Sequence, residues 1–116
     1  MDGEIGVEEL KSLLGNDGIR VVDIRSPGAF QRGHIPGSEN VPLPALVGSV
    51  ERFAGADRIV TVCPHGESSV QAARLIASYE GFDGDVESFG PGLTGWDGPL
   101  ETADATGNDE GPDAPF

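Results

Sequence analysis

The sequence predicts an α/β protein built on a mainly parallel sheet, and three observations predict it. Short strand-like runs recur at residues 19–24, 59–62 and 86–89, and the run at 59–62 is apolar and β-branched, as expected of a strand covered on both faces. The segments between them repeat their apolar residues with helical spacing, for example Ala72, Leu75, Ile76 and Tyr79 at i, i+3, i+4 and i+7. Glycine and proline punctuate each change of period. Alternating strands and helices join by right-handed crossovers, and 116 residues make one domain with a modest core.

Taken in order, Ile5 suits a brief first strand, and Val7, Leu10, Leu13 and Leu14 form a short amphipathic helix ending at Gly15. Gly15-Asn16-Asp17-Gly18 is a turn. The second strand, residues 19–24, carries Arg20 near its start and Asp23 near its end, and Ser26-Pro27-Gly28 breaks it. Residues 29–32 make about one helical turn. Gly33-His34-Ile35-Pro36-Gly37 is a constrained loop leading to an extended piece at Asn40-Val41. Leu43, Leu46, Val47 and Val50 predict a helix starting near Pro42–Pro44, with Phe53 prolonging its buried face. After the strand at 59–62, Ser68 reads as an N-cap and Gln71 as the third residue of a capping box; Gly81 reads as a left-handed C-cap. A last strand at 86–89 precedes Gly90-Pro91-Gly92 and a turn carrying Leu93 and Trp96, with Phe89 and Trp96 in the core. From Glu101 onward Thr, Asp, Gly, Pro and Asn dominate without periodicity. Residues 1–100 are read as the domain, and 101–116 as an acidic, disordered tail.

The strand at 59–62 stops at Cys63, the chain's single cysteine, and a helix begins just beyond. Ligands of open α/β sheets bind at the carboxyl ends of the strands. Unpaired N–H groups and the positive end of the helix dipole favour an anion there. A thiol so placed has a depressed pKa, and its thiolate is the nucleophile. A buried structural cysteine is the bland alternative, but the tight Pro/Gly loop argues against a sulfur shut away in apolar surroundings. Asp23 and Arg25, two apart on a strand, point the same way and are read as a structural pair at the site's edge, with Arg25 as a lesser candidate for a substrate anion. His34 is read as holding its own loop by a side-chain hydrogen bond rather than as a catalyst. Ser68 and Ser69 are caps whose hydroxyls are also free to donate to a bound sulfur. Cys63, His65 and Glu67 with His34 make a poor metal set, because alternating residues on a tight loop do not converge. The reading includes no metal and no cofactor.

The balance of 20 acidic against 7 basic residues, net −13, disfavours nucleic acid and anionic membranes as partners. Adaptation to a high-salt cytoplasm accounts for it, since screening removes self-repulsion; an acidic face for a basic partner is the rival account. One cysteine excludes an intramolecular disulfide, no leader opens the chain and no apolar run is long enough to cross a bilayer, so the expectation is a cytoplasmic protein, and a monomer.

Asp23-Ile24-Arg25-Ser26-Pro27, then Phe30, Gly33-His34-Ile35-Pro36-Gly37-Ser38 and Asn40-Val41-Pro42, resembles the N-terminal signature of rhodanese-like domains. The Cys63 loop stands where that family has its active-site loop, and Val86, Gly90, Gly92 and Trp96 are similar to its closing segment. The resemblance implies a five-stranded parallel sheet with helices on both faces. It also implies a sulfurtransferase: the cysteine takes a sulfane sulfur from a small donor or a protein persulfide, holds it as a persulfide, and passes it to a thiol or other nucleophile. Pro64, His65, Gly66, Glu67, Ser68 and Ser69 then form the cradle, with Asp23, Arg25 and His34 in support. The family commonly has cations where Pro64 and Ser68 stand here, and an acidic residue at Ala29; Pro64 also lacks an N–H and Glu67 adds a negative charge. Weak activity toward thiosulfate is therefore expected. The alternative is a rhodanese-fold binding or regulatory module that has lost efficient turnover. The related phosphatases and arsenate reductases need an arginine six residues after the cysteine, and position 69 is serine.

Overall fold

A computed structural model of the chain describes residues 3–16 and 18–102. Five strands, β1 (Glu4–Ile5), β2 (Ile19–Asp23), β3 (Glu39–Asn40), β4 (Arg58–Val62) and β5 (Asp85–Phe89), form one sheet in the order β1-β5-β4-β2-β3. All four strand pairings are parallel, as the alternating pattern predicts. The β-branched run of β4 puts it at the centre, where both faces are covered and Ile59, Val60, Thr61 and Val62 are all buried.

Among the described residues the α-helices are α1 (Val7–Leu13), α2 (Pro27–Arg32), α3 (Leu43–Leu46) and α4 (Ser68–Ser78), and period-two alternation sends successive β4 residues to opposite sides. Ile59, with Val22 and Val86, packs under α3, the 3-10 turn Val50–Phe53 and α4, where Leu46, Phe53, Ala72, Ala73 and Ile76 complete one apolar layer. Val60 and Val62, with Val21 and Phe89, face α1 and the 3-10 turn Leu93–Gly95, where Leu10 and Trp96 complete the other. Full burial of each aliphatic side chain of β4 contributes about 1.5–3 kcal/mol.

Three local readings are corrected. The helix expected from Leu43 through Val50 is two pieces. Gly48 weakens it, Ser49 adopts φ −141°, ψ 22°, and the Ser49 hydroxyl donates to the Ala45 carbonyl at 2.7 Å, so Val47 turns out to solvent. Ser68 lies inside α4 and Glu67 is the N-cap, with no side-chain cap bond, so the capping box does not form. Gly81 is not a left-handed cap: α4 ends at Tyr79 in an extended conformation (φ −77°, ψ 121°). Glu101, assigned to the tail from the sequence, forms an antiparallel bridge with His34 through two backbone hydrogen bonds of 2.8 and 2.9 Å. The disorder expected of the remaining tail falls on residues 103–116, outside the described residues. Among the described residues, no helix is long and apolar enough to cross a membrane.

Candidate functional site

The register of β2 against β4 pairs Asp23 with Val62, so Ile24 and Cys63 leave the sheet side by side at its carboxyl edge. From there the chain makes a tight loop into α4. Gly66 adopts φ +85°, a conformation open to glycine at little cost, and a Cβ built on it would fall 2.0 Å from the Gly90 carbonyl oxygen. That close packing folds the loop back on its own first residue. The Gly66 N–H donates to Cys63 Sγ at 3.0 Å.

The loop is held from outside by the closing segment. The Leu93 N–H donates to the Cys63 carbonyl at 2.8 Å, and the N–H and hydroxyl of Thr94 both donate to the Pro64 carbonyl, at 3.1 and 3.0 Å. The C=O and N–H of a trans peptide point in opposite directions. Holding the Pro64 carbonyl outward therefore turns the His65 N–H inward. Gly92, at φ +71°, lies so close that a Cβ there would meet the Pro64 oxygen at 2.5 Å.

Cys63 is only 2% exposed and packs with the apolar layer beneath α4, so the expectation that the tight loop keeps it out of apolar surroundings is corrected. Burial pushes its pKa up. Hydrogen bonds from the Ser69 hydroxyl and from the N–H groups of Ser69, His65 and Gly66 outweigh that, and hold the thiol below its ordinary value. Ser69 Oγ lies 3.4 Å from the sulfur and is itself 2.6 Å from Ser88 Oγ on β5.

A cavity of about 270 Å³ opens over the sulfur, lined by Cys63, Pro64, Ser68, Ile24, Arg25, Ser26, Ala29 and Leu43. Of the loop residues named from the sequence, only Pro64 and Ser68 line it besides Cys63; Gly66 and Ser69 act from below, and His65 and Glu67 are exposed to solvent. Arg25 borders the cavity, with its Nε and Nη2 engaged elsewhere. Its guanidinium donates to both Asp23 carboxylate oxygens (2.7–3.1 Å) and to the Gly33 carbonyl (2.7 Å), and Asp23 is buried. This is the structural pair read from the sequence. His34 is buried, stacks on Phe30 at 3.7 Å, and its Nδ1 lies 2.8 Å from the Phe30 carbonyl, so it fastens its own loop. Among the described residues no group of three His, Cys, Asp or Glu converges to hold a metal.

The family model described as Rhodanese-like domain matches residues 6–98. The chain belongs to the rhodanese-like family. Its relatives include the thiosulfate sulfurtransferase GlpE of Pseudoalteromonas translucida, 34% identical over 93 residues that cover 80% of this chain and 87% of that protein. The putative sulfur carrier protein YrkF of Bacillus subtilis is 32% identical over 103 residues, 84% of this chain and 52% of that one. Among solved structures, the rhodanese-like domain of the Alr3790 protein from Anabaena superposes with a TM-score of 0.74 at 27% identity, covering 98% of this chain and 89% of that domain. The sequence did not point to Ser88 or Thr94 as parts of this rhodanese site. Ser88 reads there as one more position of a strand and Thr94 as a surface turn residue; the Gly-Pro-Gly segment before Thr94 was the one available signal.

Proposed function

We propose that the protein is a sulfurtransferase that carries a sulfane sulfur on Cys63 as a persulfide. The observation that carries this is the sulfur lining an open cavity, with the Gly66 N–H donating to it and the Ser69 hydroxyl 3.4 Å away. The thiolate attacks the outer sulfur of a donor R–S–SH. A Cys63–S bond forms, the donor S–S bond breaks, and R–S⁻ leaves with the electron pair. With thiosulfate as donor, the leaving group is sulfite. An acceptor thiolate then attacks the outer sulfur of the Cys63 persulfide and returns Cys63 as thiolate. The departing R–S⁻ takes the proton of the new Cys63–S–SH, and the loop N–H groups stabilise the anion held at this position before and after the transfer.

The cavity favours donors of low charge. Its one lining cation, Arg25, is neutralised by Asp23, and Ile24, Ala29, Leu43 and Pro64 supply apolar walls. A dianion such as thiosulfate loses its hydration there without a free cation to replace it, so turnover with thiosulfate is weak. Alkyl or protein-bound persulfides are the better donors, and small or protein thiols the acceptors. The GlpE relatives bear the name thiosulfate sulfurtransferase and YrkF that of a sulfur carrier, which supports this chemistry.

Intact mass after exposure to thiosulfate or to an alkyl persulfide tests the reading. The persulfide should add the mass of one sulfur atom, removable by reductant and absent from Cys63→Ser. No addition from either donor would leave the binding or regulatory module in its place.

The net charge of −13 supports a protein adapted to a high-salt cytoplasm. Its melting temperature should rise as potassium chloride goes from millimolar to molar. A flat or falling melting temperature removes this account and favours an acidic surface kept for a basic partner.

A further inference from the structure

Behind the nucleophile lies a chain of buried hydroxyls. Cys63 Sγ is 3.4 Å from Ser69 Oγ, and Ser69 Oγ is 2.6 Å from Ser88 Oγ. Both serines are fully buried. Among the described residues, the Ser88 hydroxyl has no other hydrogen-bond partner. We propose that Ser88 is a positioning residue: it fixes the direction of the Ser69 hydroxyl so that Ser69 donates to the Cys63 sulfur.

With Cys63 as a thiolate, Ser88 donates to Ser69 and Ser69 donates to the sulfur, so two donors fill two bonds. With Cys63 as a thiol there are three donors for the same two bonds, so one proton must leave the hydroxyl chain and turn toward the cavity. The arrangement fits the thiolate. Neighbouring groups do not relieve the thiol form. The Thr61 hydroxyl donates to the Ser69 carbonyl at 2.7 Å, Arg25 is engaged with Asp23 and Gly33, and His65 and Glu67 lie at the surface. Ser88 cannot act directly on the sulfur; its effect passes through Ser69.

This inference rests on Cys63 being the reactive thiol, but its test needs no sulfur donor, so the two fail separately. Titration of thiolate absorbance is unambiguous because the chain has a single cysteine. Ser69→Ala should raise the Cys63 pKa by about half to one unit, the worth of one hydrogen bond. Ser88→Ala should raise it by roughly half as much, slowing iodoacetamide alkylation near neutral pH about twofold. In the Ser69→Ala background, Ser88→Ala should add nothing. Ser88→Thr, which keeps the hydroxyl, should retain the parent pKa, and Ser88→Val, isosteric with the threonine variant and suited to a strand, serves as the hydroxyl-free variant if the alanine variant does not fold. A loss of the Ser88 hydroxyl that leaves the pKa unmoved, or moves it equally with and without the Ser69 hydroxyl, overturns the proposal.

Discussion

Combining Ser68→Arg with Glu67→Gln should raise kcat/KM for thiosulfate by roughly ten- to a hundredfold. The two changes shift the loop's formal charge by two units. A well-placed cation facing an anion in a partly dehydrated pocket is worth on the order of 1.5–3 kcal/mol, which sets that range. The structure apportions the effect. Ser68 lines the cavity, so an arginine there meets the substrate, whereas Glu67 is exposed outside it and acts at longer range. Most of the gain should therefore come from Ser68→Arg alone. Steady-state assays with thiosulfate and with an alkyl persulfide, run side by side, check this, since persulfide turnover should change far less. If both activities stay undetectable in a folded double variant, the catalytic reading yields to the binding module.

The strand that ends at Cys63 was legible because its evidence is local. Four consecutive β-branched residues, three of them apolar, have few homes other than a covered strand, and the helical period after residue 68 fixes where the loop must turn. The same locality explains the errors. Ser68 is the better cap by residue type, yet backbone geometry places the cap one residue earlier, at Glu67. Gly81 sits where a C-cap would, but Tyr79 already ends the helix in an extended conformation. Leu43, Leu46, Val47 and Val50 keep helical spacing across Gly48-Ser49, and spacing does not register a broken backbone.

The site was half legible for the same reason. Cys63 and its loop are contiguous in sequence, and the Asp23–Arg25 pair lies two residues apart on one segment. Ser88, Thr94 and Gly90 reach the loop only through the pairing of β5 with β4 and the return of the chain after β5. Nothing in the local pattern distinguishes a strand serine that backs a nucleophile from one that faces solvent. Glu101 escaped in the same way: a non-periodic acidic stretch gives no sign that its first residue pairs with His34.

Gly66→Ala should be the most damaging single substitution in the loop, because it meets two penalties at once. At φ +85° an alanine pays about 1–2 kcal/mol of backbone strain, and its Cβ would lie 2.0 Å from the Gly90 oxygen, a backbone atom that a rotamer change cannot move. Displacing the loop or the Gly90 segment adds about 1–3 kcal/mol. For a domain of this size the sum corresponds to a loss of roughly 10 °C or more in melting temperature. Gly37→Ala isolates the first penalty, since Gly37 has φ +83° with nothing within 4 Å of the added carbon; it should cost only the strain. The two variants should differ in function as well. The Gly66 N–H is 3.0 Å from the Cys63 sulfur, so displacing it weakens the thiolate and raises the pKa of Cys63, whereas Gly37→Ala leaves that pKa alone. Calorimetry and thiolate titration on both proteins check this. Equal melting temperatures would show that the loop yields to the added carbon, and an unmoved Cys63 pKa in Gly66→Ala would show that the Gly66 N–H does not hold the thiolate.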